Sequence, residues 1–157
     1  MTEMKKVLLG WAGALLMCSS LAIAHDFTLG KLKIDHPWSR ATAPGAKVAG
    51  AFLQIRNGGD ADELLRAESD VAARVELHEM KMADGVMQMK AVKGVALPAG
   101  AEVKLAPGGY HVMLIDLKRP LKEGETFPMT LVFAKSGTVR VDVQIEAMGA
   151  KEGHAGH

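Results

Sequence analysis

The strand pattern of this chain is clearest at residues 78–89, which read His78-Glu79-Met80-Lys81-Met82-Ala83-Asp84-Gly85-Val86-Met87-Gln88-Met89. Asp84-Gly85 is a strong hairpin signal, because a type I′ turn needs positive φ at both central residues and this dipeptide tolerates it. With these two residues as the whole loop, the predicted cross-strand pairs are Met82 with Met87, Met80 with Met89, and His78 with Ala91. Since side chains alternate along a strand, His78 and the four methionines share one face and Glu79 takes the other.

A second histidine and a further methionine follow Met89 after 21 intervening residues. His111 and Met113 are two residues apart, so they share a face of one strand, and the turn signal at residues 107–109 puts His111 near the rim of the fold. Imidazole and thioether groups are soft, neutral donors that select Cu(I) over harder divalent ions. We therefore predict a four-coordinate Cu(I) site made by His78, Met89, His111 and Met113.

The rest of the chain from His25 onward alternates in short runs between Gly, Pro, Asn and Asp residues. The predicted strands are 32–34, 48–55, 63–67, 73–82, 86–92, 101–105, 111–117, 127–133 and 139–145. Pro37 predicts that the first of them ends or lies at an edge. Strands at this spacing, with turn signals between them, predict a single all-β sandwich or barrel domain, over residues 25–148.

The first 24 residues have the pattern of a secretory signal peptide. Lys5 and Lys6 precede an apolar run at 7–17, and an Ala-x-Ala cleavage signal ends at Ala24. The run is too short for a permanent membrane helix, so we expect no stable membrane insertion. The alternative is lipoprotein processing at Cys18, although Met17 is a poor match for the small residue expected before that cysteine.

Composition excludes several classes of function. The 157-residue chain has 19 basic and 18 acidic residues, and removing the signal leaves 17 of each. This balance gives no electrostatic reason to expect nucleic acid or an anionic membrane as partner. The single cysteine leaves with the signal, so disulfides and thiolate chemistry are not expected in the mature protein. No Ser/His/Asp, Cys/His or paired-carboxylate arrangement emerges, and we expect a protein that is not an enzyme.

The remaining histidines and methionines are weaker candidates for metal ligands. Residues 149–157 are small and polar and are expected to form a flexible tail, in which His154 and His157 are candidates for an auxiliary Cu(II) site. His25 would become the new N-terminus, and its amine and imidazole could also chelate Cu(II). His36 is interpreted as an ordinary histidine. Met80, Met82 and Met87 are core filler, a shield for the site or transient ligands, and Met80 is a possible auxiliary ligand.

The spacing His78, ten residues, Met89, 21 residues, His111, one residue, Met113 resembles the signature of the periplasmic copper chaperone family PCu(A)C. The segments 85–89 and 107–114 are also similar to that family. The resemblance implies a cupredoxin-like Greek-key β-barrel or sandwich that binds Cu(I) through these four side chains. It further implies periplasmic delivery of copper to an acceptor such as a cytochrome c oxidase subunit, for Cu(A) assembly, sometimes alongside a Sco-type thiol protein.

Two alternatives stay open at this point. A periplasmic protein that sequesters copper for resistance would use the same ligands, and a β-sandwich scaffold domain that binds no metal would carry the methionines incidentally. A blue-copper electron carrier is disfavoured, because such a site needs a cysteine thiolate.

Overall fold

A computed structural model of the protein describes residues 26–153. The predicted signal peptide at 1–24 with its Cys18 alternative, His25, and the tail histidines His154 and His157 lie outside the described residues. No helix occurs among residues 26–153, and so none with the length and apolar character to cross a membrane.

Eleven strands make up the described chain. They are β1 (Asp26–Leu29), β2 (Leu32–Arg40), β3 (Val48–Asn57), β4 (Asp62–Glu68), β5 (Ala72–Ala83), β6 (Val86–Val92), β7 (Val95–Leu97), β8 (Glu102–Leu105), β9 (Tyr110–Leu117), β10 (Thr126–Phe133) and β11 (Thr138–Glu146). The all-β prediction is confirmed, and all nine predicted strands are present. The short strands β1 and β7 are additional.

The strands form one sheet in the order β6-β5-β9-β8-β3-β2-β11-β10-β4-β7, with β1 paired to β2. Within this path only β11 with β2 and β8 with β9 pair in parallel. The hydrogen-bonded sheet is not closed, since β6 and β7 are its two ends. The sheet therefore curls around its core as a sandwich and leaves the methionine-bearing strand β6 at an edge.

The core lies on one face of each strand. Along β10, Phe127, Met129, Leu131 and Phe133 are buried and alternate with less buried residues, as a period of two requires. Each such side chain stabilises the fold by roughly 1.5–3 kcal/mol relative to leaving it in water. On the strands that carry the predicted ligands, Leu77 of β5 and Val112 of β9 are paired and buried in this core. Their neighbours His78 and His111 must therefore lie on the opposite face.

The prediction that Pro37 ends the first strand is wrong. β2 continues to Arg40 in the interior of the sheet, and its pairing with β3 shifts register between Asp35 and Trp38. His36, in this irregular stretch, has a φ of 46°. A bulge accepts a proline because the missing N–H would have no partner in the ladder there. The strand therefore continues through Pro37, and Trp38 lies near the predicted site.

The first part of the predicted tail contacts the sheet. Arg40 donates a hydrogen bond from Nε to the carbonyl of Ala150 at 2.6 Å. Gly153 lies so close to Trp38 that a Cβ there would come within 2.7 Å of the indole. The chain up to Gly153 therefore runs beside the Trp38 end of β2.

Candidate metal centre

The hairpin that carries most of the predicted ligands forms with the predicted register. Asp84 and Gly85 have φ values of 49° and 76°, as the two-residue turn requires. The observed pairs are Met82 with Met87, Met80 with Met89 and His78 with Ala91. Four methionines and His78 therefore share one face of β5 and β6.

Strand β9 adds the second histidine beside the first. His111 is paired directly with His78 across β5 and β9, and their ring centroids are 5.7 Å apart. Met113 follows on the same face, opposite Glu76 of β5 and Gly50 of β3. The sheet thus brings two imidazoles and the thioether of Met113 to one patch of its outer face.

A cavity of about 310 Å³ opens at this patch. Its lining includes His111, Met113 and Met80, but neither His78 nor Met89. Met89 lies opposite Met80 on the hairpin and is 48% exposed. Met80, predicted only as an auxiliary ligand, therefore shares a cavity with His111 and Met113. Met89, predicted as a main ligand, is on the solvent side of the Met80–Met89 pair.

His111 is held in the form that can bind a metal. Burial lowers the pKa of His111, a hydrogen bond to the Gly109 carbonyl raises it, and repulsion from His78 lowers it again, with a net shift downward. The residue is only 6% exposed, and its lowered pKa favours the neutral ring at pH 7. Because its Nδ1 lies 3.3 Å from that carbonyl, which only accepts, Nδ1 carries the proton and Nε2 keeps a free lone pair.

His78 is oriented by a carboxylate. Its Nε2 lies 2.8 Å from Oε2 of Glu76, two residues earlier on the same face. A carboxylate accepts hydrogen bonds only, so in the neutral form of His78 the proton is on Nε2 and the lone pair is on Nδ1. This Nδ1 is buried and has no hydrogen-bond partner among the described residues. Buried polar atoms are rarely left unpaired, and an unpaired imidazole nitrogen beside a second imidazole fits a soft metal ion.

Glu76 is a candidate site residue that sequence reasoning missed. The signal was available, because residues 76 and 78 must share a strand face. Arg74 holds the other carboxylate oxygen of Glu76 at 3.3 Å. Metal-binding histidines commonly donate their second N–H to such a carboxylate, which fixes the ring and raises its basicity.

Aromatic rings close one side of the patch. The Phe52 ring lies 6.3 Å from the His111 ring and 4.7 Å from Trp38, measured between centroids. Phe52 covers Gly50, where an added Cβ would lie 3.1 Å from the ring. Both rings are buried, so they exclude water from this side of His111.

Other candidates are separate from this patch. Glu79 lies on the opposite face, as predicted, and pairs with Lys81 at 3.2 Å. His36 lines a different cavity, together with Trp38 and Gly153. Among residues 26–153, no group of three or more His, Cys, Asp or Glu side chains is arranged to hold a metal ion. A metal bound to these histidines would therefore need thioether ligands.

A known protein family matches most of the chain. Residues 32–145 match the family described as "Putative lipoprotein LpqE-like". A relative named "Putative lipoprotein Lxx21020", from Leifsonia xyli subsp. xyli, is 31% identical over 158 residues, covering 99% of this chain and 94% of its own.

Solved structures resemble this chain over the whole domain. A structure titled as the copper-bound PCuAC domain from PmoF2 is 33% identical, with a TM-score of 0.68, over 78% of this chain and 98% of that one. The solution structure titled CuI-DR1885, from Deinococcus radiodurans, is 26% identical, with a TM-score of 0.62, over 82% of this chain and 85% of that one. This likeness confirms the cupredoxin-like sandwich that the sequence resemblance implies.

Proposed function

The chain belongs to the LpqE-like family, and we propose that it is a copper-binding protein with a chaperone-like role that carries Cu(I). Its similarity to PCuAC domains, one titled copper-bound and another CuI-bound, supports this function. The observation that carries the proposal is the pair of free imidazole lone pairs, on Nδ1 of His78 and Nε2 of His111, beside thioethers on one face. Neutral nitrogen and thioether sulfur together favour Cu(I).

The proposed ligands are His78, Met89, His111 and Met113, with Met80 as an auxiliary thioether. Met80 and Met89 are a cross-strand pair, and both side chains are flexible. The cavity position of Met80 supports its part in the site, and the exposure of Met89 supports a part in exchange.

Four features of the chain serve capture and release of the ion. Glu76 fixes the ring of His78, and burial keeps His111 unprotonated near neutral pH. The Phe52 ring screens the imidazole from water on one side. Met89 stays at the surface, where an acceptor's ligand can replace it while the histidines still hold the ion.

We also propose export to the periplasm through the signal peptide at 1–24. The name of the Leifsonia relative supports an envelope location and keeps lipid attachment at Cys18 as the alternative. The proposed recipient is an acceptor such as a cytochrome c oxidase subunit during Cu(A) assembly, with a Sco-type thiol protein as a further partner. The proposed role of the tail histidines His154 and His157 is an auxiliary Cu(II) site.

Titration of the purified protein with Cu(I) against a competing chelator tests the binding function. We expect one tight equivalent for the wild type and at least about tenfold weaker binding for Met113→Leu, which removes a sulfur but keeps nearly the same volume. Met148→Leu is the matched control, because Met148 is exposed and lies outside the hairpin. Absence of a tight equivalent in the wild type would favour a scaffold domain that binds no metal.

A deletion strain separates delivery from sequestration. Delivery predicts lost oxidase activity that added copper restores. Hypersensitivity to copper with normal oxidase activity would instead assign the protein to resistance.

A further inference from the structure

The hairpin of β5 and β6 has two faces of different chemistry. One face carries the pairs Met80 with Met89 and Met82 with Met87, whereas the other pairs Lys81 with Gln88 and Glu79 with Lys90. Beyond His78, to the turn and back to Met89, every side chain on the first face is thus a thioether. The proposed Cu(I) site uses Met89 and Met80, which leaves Met82 and Met87 without a role.

The two methionine pairs are at the closely spaced positions of the ladder. The Met80 N–H donates to the Gly109 carbonyl at 3.0 Å, on the β9 side and away from β6. Met80 and Met89 are therefore a non-hydrogen-bonded pair, in which opposite side chains approach more closely. Since ladder pairs alternate, Met82 and Met87, two residues further on, have the same close spacing.

The outer pair is far more exposed than apolar side chains usually are. Met82 is 66% exposed and Met87 47% exposed, at the end of a hairpin that forms an edge of the sheet. Neither side chain contributes to the buried core. Exposed apolar groups concentrated at one place mark a binding site more often than scattered ones do, and the property that these side chains share is a soft sulfur atom.

We propose that Met82 and Met87 form a second and weaker Cu(I) site near the tip of the hairpin, with Met89 as a third thioether when its cross-strand partner Met80 takes its place at the main site. This inference rests on the proposed function, because the same ion would occupy both sites. Thioethers alone bind Cu(I) without a histidine nitrogen, so the ion is held less tightly than at His78 and His111. Successive pairs on one face are about 7 Å apart along the strands, and Met89 is within reach of both sites.

The consequence is a route for the ion along one face of the hairpin. Cu(I) enters or leaves at Met82 and Met87, passes to the Met80 and Met89 pair, and reaches the histidines by exchange of one thioether at a time. The ion stays monovalent throughout, so no electron acceptor or donor is needed.

The test is Cu(I) titration of protein labelled with ¹³C in the methionine methyl groups, followed by NMR under anaerobic conditions. The first equivalent should shift the Met113 methyl, and a second should shift the methyls of Met82 and Met87. The double variant Met82→Leu, Met87→Leu should keep the first equivalent and bind the second at least tenfold more weakly. Met148→Leu, with a similarly exposed methionine outside the hairpin, should bind both equivalents as the wild type does.

The outcomes separate this inference from the proposed function. If the first equivalent binds but the Met82 and Met87 methyls do not respond to a second, the tip site is wrong and the main site stands. A second equivalent bound equally well by the double variant also overturns the tip site. If adding Cu(I) does not shift the Met113 methyl signal at any equivalent, both proposals fail.

Discussion

At the scale of single residues, the proposed centre depends on which nitrogen of each histidine is free. His78 donates from Nε2 to Glu76, and His111 donates from Nδ1 to the Gly109 carbonyl. The two rings therefore offer different nitrogens, and both lone pairs exist before any ion arrives. Such preorganisation lowers the entropic cost of binding.

Replacing Glu76 by Gln tests this arrangement. The amide keeps the size of the side chain but loses the negative charge that holds the His78 N–H, so we expect Cu(I) affinity to fall about 10- to 100-fold. Competitive chelator titration measures the change. Glu79→Gln is the control, because Glu79 lies on the other face of β5. Equal affinities for Glu76→Gln and the wild type would remove Glu76 from the site.

At the scale of the element, the hairpin was predictable because its register is determined locally. The Asp84-Gly85 turn and the period of two fix every pair from Ala83 with Val86 to Leu77 with Val92. The pairing of His78 with His111 was not predictable in the same way, since β9 joins β5 only through packing of Leu77, Val112 and the rest of the core.

Substituting Gly85 by Ala tests how much the turn contributes. Gly85 has a φ of 76° with nothing within 4 Å of an added Cβ, so the cost is backbone strain alone. We expect the free energy of unfolding to fall by about 1–2 kcal/mol, measured by denaturant titration. Gly149→Ala, also in open space but without positive φ, should change it little. An unchanged stability for Gly85→Ala would contradict a strained turn.

Asp62, at the start of β4, makes the stability of the fold depend on pH. Burial raises the pKa of Asp62, but hydrogen bonds from the Ser136 hydroxyl and the amides of Glu63, Lys135 and Ser136 outweigh it, and the net pKa lies below 3.8. Because the folded pKa is depressed, this stabilisation is present above the unfolded pKa and is lost as pH falls below it, through the folded value.

Asp62→Asn should therefore be less stable than the wild type at neutral pH, and the difference should shrink as the pH falls below about 3.8. Unfolding free energies measured at a series of pH values check this. Asp60→Asn, at an exposed position two residues earlier, is the control. A difference between Asp62→Asn and the wild type that persists at the acid end would contradict the assignment.

At the scale of the whole molecule, the sandwich places the proposed ligands where an ion can be both held and released. The core side of β5 and β9 is sealed by Leu77 and Val112, and the outer side carries the histidines next to the exposed edge strand β6. Fold class, strand positions and the shared face of the ligands followed from alternation and turn residues. The cavity position of Met80, the Glu76 contact and the Phe52 wall depend on side-chain packing between distant strands, which local patterns do not contain.

Copper K-edge X-ray absorption on selenomethionine-labelled protein, loaded with one equivalent of Cu(I), tests the central claim most directly. A site made by His78, Met89, His111 and Met113 predicts scattering from imidazole rings together with a copper–selenium shell, and a smaller selenium contribution in Met113→Leu. A spectrum with only nitrogen or oxygen neighbours, unchanged by Met113→Leu, would contradict it.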